Sequence, residues 1–112
     1  MAALHKGGRN IPQSDALDYV FGYAVGLDLT RRDLQAEAKK KGRPWDSAKA
    51  FDQSAPCSAI RPSSVIGNPQ KGFIELDVNG STRQKGDLAQ MIWAIPEAVS
   101  YTHLTLPTSD LV

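Results

Sequence analysis

In the stretch GYAVGLDLTRRDLQ, residues 22–35, an apolar run passes directly into a helical pattern. Residues 23–29 are almost continuously apolar, which predicts a strand buried on both faces. Asp28 interrupts the end of this run, and a buried carboxylate is costly unless it is paired, hydrogen-bonded or bound to a metal. Asp28 is therefore a candidate site residue, with the alternative that it pairs with Arg31 or Arg32 or caps the next helix.

The sequence after Asp28 predicts a helix that begins at Thr30. Thr30 with Asp33 three positions later resembles a capping box, although Asp is a poorer partner there than Glu or Gln. Three lysines, residues 39–41, complement the negative end of the helix dipole, and Gly42 suits the turn beyond it. Pro44 then prevents the helix from continuing.

The neighbouring segments predict shorter elements. Ser14 caps a predicted short helix that ends near Gly22. Residues 43–70 contain four prolines with several serines and glycines, which predicts mostly loop with short extended pieces such as residues 49–51.

Residues 73–87 give the clearest local signal. From Phe73 to Val78 the residues follow the two-residue alternation of a strand. Asn79-Gly80 comes next, a dipeptide typical of a hairpin turn, so we expect Arg83 and Gln84 on the return strand. Residues 88–101 then place apolar side chains at helical spacing, and Pro96 is expected to kink or end that helix.

The composition limits the classes of function. A chain of 112 residues has room for one domain, and 13 Lys and Arg against 12 Asp and Glu leave a formal charge of +1. That balance gives no long-range field to attract nucleic acid or an anionic membrane. The single cysteine, Cys57, excludes an internal disulfide and a multi-cysteine metal site. With no apolar leader and no window of about 18 apolar residues, we expect a cytoplasmic protein without membrane or nucleic-acid partners.

Three further residues are candidates for a site. Lys49 stands between small residues and away from the lysine cluster, so it suits an oxyanion partner or general acid, with a solvated surface lysine as the alternative. Arg32 and Gln35 lie three positions apart on the predicted helix and can face one cavity, with surface solvation as the alternative.

The remaining polar features favour ordinary structural roles. The basic residues 39–43 have no interleaved aromatics, which favours a solvated helix end over a nucleic-acid site. His5 and His103 have no Cys or carboxylate at metal-ligand spacing, and Cys57 is interpreted as a small buried side chain.

Six segments in order together resemble the fumarylacetoacetate hydrolase family over about residues 4–101. They are KGGRNIP, FGYAVGLDLTRRDLQ, KKKGRPW, AKAFDQSAP, VNGSTRQKGDLAQMI and IPEAVSY. The pattern G-Y-x-x-x-x-D-x-T-x-R-D-x-Q, with seven defined positions in fourteen, is the most specific of these signals. Within the family, the resemblance is to the fumarylpyruvate hydrolase and acylpyruvase branch. It implies an α+β, mostly β fold, a mixed β-roll with peripheral helices, of which this chain supplies the middle portion.

The resemblance also implies a chemistry and a role for each candidate. The family cleaves a carbon-carbon bond in β-diketo acids such as acylpyruvates, using Mg²⁺ or Mn²⁺ held by carboxylates. By resemblance Asp28 is a metal ligand and Lys49 is the catalytic lysine that stabilises the developing enolate. By the same resemblance Arg32 is a catalytic residue that orients the metal site and contacts the substrate, and Gln35 binds substrate. A homodimer is the expected assembly of the full-length protein.

Several departures from the family pattern bear on these expectations. The family's Glu-x-Glu pair and its lid residues are expected upstream of this sequence, and the T-G-T-P segment is replaced by THLTLPTSDLV, residues 102–112. We expect residues 4–101 to be part of a catalytic domain, residues 102–112 to be a tail of doubtful origin, and the chain alone to be inactive. The alternatives are an oxaloacetate decarboxylase or isomerase of the same family, or a non-catalytic remnant that serves as an interaction module.

Overall fold

The structure, a computed structural model, describes residues 1–101 of the chain. The described residues divide into two compact units, which we call the first and second units. The first contains Met1 and Ala24–Ile60, and the second contains Ala2–Tyr23 and the chain from Arg61 onward. The tail predicted over residues 102–112 lies outside the described residues.

The elements of the described chain are short. The strands are β1 (Ala2–Leu4), β2 (Val20–Tyr23), β3 (Arg61–Pro62), β4 (Phe73–Val78) and β5 (Ser81–Asp87). The helices are α1 (Arg32–Lys40), α2 (Asp46–Lys49), α3 (Ser63–Ile66) and α4 (Ile95–Tyr101), with 3₁₀ turns at Gln13–Tyr19 and Leu88–Gln90. This arrangement of antiparallel sheets and helices confirms the predicted α+β class. Among residues 1–101, no helix has the length and apolar character of a membrane span.

In the first unit, α1 confirms the predicted helix and its predicted end. Gly42 adopts a φ of 62°, which favours glycine, and its N–H donates to Lys39 O at 3.2 Å. The N–H of Arg43 donates to Ala38 O at 2.8 Å. These two bonds form a Schellman motif, which satisfies carbonyls at the end of the helix.

The start of α1 differs from the prediction. Arg31 is the residue that precedes the helix, and no side chain accepts a hydrogen bond there. The predicted capping box of Thr30 with Asp33 is therefore wrong. The Thr30 hydroxyl donates instead to the main-chain oxygen of Asp28 at 3.1 Å, so it is directed away from the helix.

The predicted buried strand over residues 23–29 is also wrong. The strand is β2, which ends at Tyr23, and beyond it the first unit has one isolated bridge, between Gly26 and Cys57. Val25 is 64% exposed, so the apolar run is not covered on both faces. The run pairs with an irregular loop rather than with a strand, which is why its apolar character misled the assignment. The predicted short helix from Ser14 to Gly22 is instead a 3₁₀ turn that passes into β2.

Residues 43–70 are mostly loop, as predicted, with three short elements. The extended piece predicted at residues 49–51 is wrong, because Lys49 is the last residue of α2. This helical turn places the Lys49 side chain in the candidate site described below.

The core of the second unit is small. Strands β1, β2 and β3 form one antiparallel sheet in that order. Ile11, Ala16 and Val99 are buried and pack together, and partly buried apolar residues surround them, namely Leu4, Tyr19 and Ile95. This cluster joins the start of the chain to α4.

The predicted hairpin is confirmed as β4 and β5. Asn79 and Gly80 have φ values of 52° and 78°, the positive angles that a type I′ turn requires. Glu75 pairs directly with Lys85 across the ladder, with 2.6 Å between the carboxylate and the ammonium. Arg83 and Gln84 lie on β5, as expected.

The single helix predicted over residues 88–101 is replaced by two shorter elements. Asp87 caps the first turn by accepting from Ala89 N at 2.8 Å. The helix α4 starts only at Ile95, and Ala94 N–H donates to the Glu97 carboxylate at 2.7 Å. Pro96 therefore lies in the first turn, where its missing N–H costs nothing, rather than at a kink or an end.

We expect two Ile→Ala changes in the second unit to differ sharply in their effect on stability. Ile11 is 4% exposed and Ile92 is 93% exposed. Ile11→Ala should lower the free energy of unfolding by about 2–5 kcal/mol, whereas Ile92→Ala should change it by less than about 0.5 kcal/mol. Urea denaturation followed by circular dichroism measures both. Equal losses would contradict the described core.

Candidate active site

The candidate site is built on a set of hydrogen bonds donated by main-chain N–H groups within the first unit. The N–H groups of alternate residues between positions 25 and 31 all donate to the segment 48–58. The bonds are Val25 N to Ser58 Oγ, Leu27 N to Pro56 O, Leu29 N to Ser54 O and Arg31 N to Ala48 O, each 3.0 Å long. We call this set the 25–31 ladder. It anchors the backbone on both sides of Asp28.

The ladder is closely packed at Gly26. A Cβ atom at this position would lie 3.0 Å from the Sγ of Cys57. Glycine therefore allows the two segments to approach each other. Cys57 itself is exposed, so its interpretation as a small buried side chain is wrong.

Asp28, Thr30 and Lys49 form a hydrogen-bonded group that we call the Asp28–Thr30–Lys49 cluster. The Lys49 ammonium donates to Asp28 Oδ2 and to Thr30 Oγ1, each at 2.8 Å. The Thr30 hydroxyl donates to the main-chain oxygen of Asp28 at 3.1 Å. The cluster thus joins residues that are 21 positions apart in sequence.

Lys49 reaches Asp28 because α2 is fixed at its base. Ala48 is wholly buried, and its carbonyl accepts the last bond of the ladder, from Arg31. Arg31 also places its guanidinium 4.3 Å from the centre of the Phe51 ring, a cation–π contact just beyond α2. The Lys49 side chain then extends from a fixed helical turn toward the ladder.

The cluster lies at the surface of the first unit. The Asp28 side chain is 77% exposed and the Lys49 side chain is 30% exposed. The expected burial of Asp28 is therefore wrong, and its ion-pair partner is Lys49 rather than Arg31 or Arg32. An ammonium has three N–H donors, and two are used by oxygens of the described residues, which leaves one for a bound molecule.

Arg32 and Gln35 are brought together but not joined to the cluster. Arg32 Nη1 donates to Gln35 Oε1 at 2.9 Å across one turn of α1. Within residues 1–101, no hydrogen bond or ion pair links either of them to Asp28 or Lys49. Their predicted roles in substrate contact therefore stay predictions.

Thr30 is the cluster residue that the sequence did not identify. Its place before a helical pattern predicts a helix cap instead. The useful signal was its spacing, two residues after Asp28 in an extended segment, since side chains two positions apart lie on the same face.

The residues of the described chain do not by themselves fit a divalent metal. Within residues 1–101, no group of three or more His, Cys, Asp or Glu side chains is arranged to hold an ion. Asp28 offers one carboxylate, which is already paired with the Lys49 ammonium, whereas a protein site for Mg²⁺ usually supplies one or two carboxylates beside waters and substrate oxygens.

A cavity of about 290 Å³ lies elsewhere in the first unit. It is lined by residues at the end of α1 and the start of α2, including Glu37, Lys41 and Asp46, and by none of the candidate site residues. Glu37 and Lys41 form an ion pair in its wall at 2.5 Å. The basic residues 39–43 are exposed at this helix end, as predicted.

Comparison with known proteins identifies related sequences. The chain matches the family described as Fumarylacetoacetate (FAA) hydrolase C-terminal over residues 2–112. It is 47% identical over 111 residues to the Mus musculus protein named oxaloacetate tautomerase FAHD1, mitochondrial, covering 97% of this chain and 50% of that protein. The chain thus spans about half the length of the curated relatives that it matches.

Solved structures of similar proteins share the fold. A fumarylpyruvate hydrolase from Pseudomonas aeruginosa, in complex with Mn²⁺ and pyruvate, has a TM-score of 0.85 and 51% identity, covering 89% of this chain and 43% of that one. A Burkholderia cenocepacia protein provisionally described as a fumarylpyruvate hydrolase has a TM-score of 0.86 and 58% identity, covering 89% of this chain and 45% of that one.

We expect the ion pair between Lys49 and Asp28 to contribute little to stability, because Asp28 is mostly exposed. Asp28→Asn should lower the free energy of unfolding by less than about 1 kcal/mol. Glu37→Gln, which breaks the exposed Glu37–Lys41 pair by the same chemical change, should have a similar effect. Urea denaturation compares the two. A loss of more than about 2 kcal/mol for Asp28→Asn alone would show that the carboxylate is structural.

Proposed function

The chain belongs to the fumarylacetoacetate hydrolase family, and from that premise we propose that the Asp28–Thr30–Lys49 cluster is part of a hydrolytic active site. The proposed reaction is the metal-dependent cleavage of a carbon-carbon bond in an acylpyruvate. Fumarylpyruvate is the proposed substrate, and fumarate and pyruvate are the proposed products. The similar P. aeruginosa structure, described as a fumarylpyruvate hydrolase with bound pyruvate, supports this choice.

The observation that carries the proposal is the placement of the Lys49 ammonium. Two oxygen acceptors fix it at 2.8 Å each, and the adjacent Asp28 carboxylate is 77% exposed. A fixed cation beside an open surface suits a reaction in which negative charge develops on a substrate oxygen. The third N–H donor of Lys49 is the group proposed to contact that oxygen.

The proposed reaction is a hydrolysis in which water splits the acylpyruvate at one carbon-carbon bond. The oxygen of a water molecule bonds to the carbonyl carbon of the acyl group, and the bond from that carbon to the neighbouring CH₂ breaks. The water releases one proton as its oxygen bonds. The electron pair of the broken bond passes into the pyruvate unit, which leaves as an enolate and takes up an equivalent proton on carbon, so that the products are a carboxylic acid and pyruvate. Lys49 stabilises the enolate oxygen by charge and by hydrogen bonding, which lowers the energy of the step that breaks the carbon-carbon bond.

Arg32 and Gln35 are proposed to bind the substrate. A guanidinium matches a carboxylate with two parallel hydrogen bonds, and acylpyruvates carry a carboxylate beside the 2-oxo group. Gln35 already accepts from Arg32 Nη1 at 2.9 Å, so it orients the guanidinium plane. We assign Arg32 to the carboxylate and Gln35 to the orientation of Arg32 and to a substrate oxygen.

A divalent ion, Mg²⁺ or Mn²⁺, is proposed as the cofactor. The support is the Mn²⁺ that accompanies pyruvate in the similar P. aeruginosa structure. Asp28 is the candidate ligand from the described residues, and a Glu-x-Glu pair, which the resemblance assigns to the family, does not occur in this sequence. The proposed metal site therefore needs ligands in addition to Asp28.

Oxaloacetate tautomerase is the second candidate function, because the similar mouse protein carries that name. Oxaloacetate, like an acylpyruvate, is a 2-oxo acid with a second carbonyl-containing group two carbons away. Its tautomerisation moves a proton between carbon and the enol oxygen, so Lys49 would again stabilise an enolate oxygen. The two candidates differ in whether a carbon-carbon bond breaks.

The organisation of the whole protein is also a matter of proposal. We propose that residues 4–101 act within one catalytic domain and that the full-length protein is a homodimer acting on a small-molecule substrate. The cytoplasmic location stays a prediction, since the name of the mouse relative places that protein in mitochondria.

We expect substitutions in the cluster to abolish turnover in a chimera. Residues 4–101 would replace the matching segment of the P. aeruginosa fumarylpyruvate hydrolase, to which this chain is 51% identical. Lys49→Ala and Asp28→Ala should each lower kcat by roughly 100-fold or more, because each removes a charge at the reacting atoms. Lys41→Ala, in a surface ion pair, should leave kcat unchanged.

The assay separates the two candidate functions. Chromatography detects fumarate and pyruvate formed from fumarylpyruvate, and ultraviolet absorbance follows the keto–enol change of oxaloacetate. Turnover of oxaloacetate with no release of pyruvate from fumarylpyruvate would favour the tautomerase. Full activity of the Lys49→Ala chimera on both substrates would refute the proposed role of Lys49.

A further inference from the structure

Thr30 occupies the centre of the cluster, although neither candidate reaction assigns it a role. Its hydroxyl oxygen accepts from the Lys49 ammonium at 2.8 Å, and its hydroxyl hydrogen is donated to the Asp28 main-chain oxygen at 3.1 Å. A hydroxyl has one hydrogen to donate. Because that hydrogen is used on the backbone, the oxygen presents only acceptor lone pairs to Lys49.

We propose that Thr30 is the positioning residue that holds the Lys49 ammonium in place, an inference that rests on the proposed function for its catalytic meaning. Thr30 touches no reacting atom in this scheme and acts through Lys49. It supplies a neutral, directional acceptor whose orientation is fixed by the main chain.

Thr30 restrains Lys49 in a way that Asp28 does not. The Asp28 carboxylate is 77% exposed, so water competes for it and salt screens its attraction to the ammonium. A lysine side chain has four rotatable carbon-carbon bonds and is strongly hydrated, so a single exposed charge partner leaves it mobile. The part-buried bond to Thr30 adds a second fixed point.

The main chain next to Thr30 holds the other end of the same lysine. Arg31 N–H donates to Ala48 O at 3.0 Å, and the Arg31 guanidinium packs 4.3 Å from the Phe51 ring centre. Ala48 and Phe51 lie on either side of Lys49 in sequence. The dipeptide Thr30-Arg31 therefore fixes both the base and the head of Lys49, so the ammonium is placed before any substrate arrives.

The two acceptors of the Lys49 ammonium, Thr30 and Asp28, have different roles. Thr30 sets where the ammonium lies, and Asp28 supplies the opposing charge. Loss of the hydroxyl should therefore free the lysine head while the backbone ladder stays in place. A serine keeps the hydroxyl and loses only the methyl group, whereas valine keeps the shape and loses the hydroxyl.

The test measures acylation of lysines in the 112-residue chain by an amine-reactive ester at fixed pH, with peptide mass spectrometry as the readout. Relative to the unchanged chain, Thr30→Val should raise the acylation rate of Lys49 roughly tenfold, the scale expected when a hydrogen bond to a charged group is lost. Thr30→Ser should stay within about twofold of the unchanged chain, since its hydroxyl can make the same bond. Lys41 and Lys85 serve as internal references, and their rates should not change.

Two outcomes would overturn the proposal. One is an unchanged Lys49 rate in Thr30→Val, and the other is an equal rise in Thr30→Val and Thr30→Ser. If Thr30→Val fails to fold, seen as a rise at Lys41 as well, hydrogen exchange of the lysine ammonium groups in Asp28→Ala, which keeps only the Thr30 acceptor, decides the question. Slower exchange at Lys49 than at the exposed Lys39 supports the proposal, and equal exchange refutes it.

Steady-state kinetics of the chimera tests separately whether the position of Lys49 affects turnover. Thr30→Val should lower kcat by roughly tenfold with little change in KM, and Thr30→Ser should restore kcat. A role confined to folding would not follow the hydroxyl in this way. If Lys49→Ala left turnover intact, the proposed function would fail, while the acylation result would still decide whether Thr30 holds Lys49.

Discussion

The candidate site depends on the 25–31 ladder, the hydrogen bonds that main-chain N–H groups of residues 25–31 donate to the segment 48–58. An exposed ion pair such as Asp28 with Lys49 is too weak to bring two distant segments together. Backbone bonds do so instead, aided by Gly26, where a side chain would crowd Cys57. The side chains of the cluster then meet because their backbones are already close. The placement of the Asp28–Thr30–Lys49 cluster therefore depends on a loop that is hydrogen-bonded along its length without forming a strand.

The sequence predicted best where the decisive interactions are local. The hairpin turn at Asn79-Gly80 and the end of α1 at Gly42 both depend on residues within a few positions, and both are confirmed. The prediction of a strand over residues 23–29 is wrong because apolar composition alone does not show burial, and the segment pairs with an irregular loop. The helix predicted over residues 88–101 is too long. Pro96 lies in the first turn of α4, a position that proline tolerates, so the helix begins just before it.

The site was predictable only in part, and for a physical reason. Spacing alone could not pair Asp28 with Lys49, because the two residues are 21 positions apart and the intervening chain is mostly loop. Both were named as candidates from residue type and from family resemblance, but the pairing considered for Asp28 was with Arg31 or Arg32. Thr30 was missed because the same residue type suits a helix cap. The contact between Arg32 and Gln35 followed from helical spacing, as a local relation should.

The most direct measurement is a titration of the 112-residue chain with Mn²⁺, followed by the electron paramagnetic resonance signal of free Mn²⁺. The Asp28→Asn variant and the P. aeruginosa fumarylpyruvate hydrolase are measured beside it. If Asp28 is one ligand of a site that needs others, this chain should bind Mn²⁺ only weakly, with a Kd on the order of millimolar or above. Asp28→Asn should abolish that binding, and the P. aeruginosa enzyme should bind far more tightly. Micromolar affinity in this chain, or weak affinity that Asp28→Asn leaves unchanged, would contradict the assignment of Asp28 as a partial metal site.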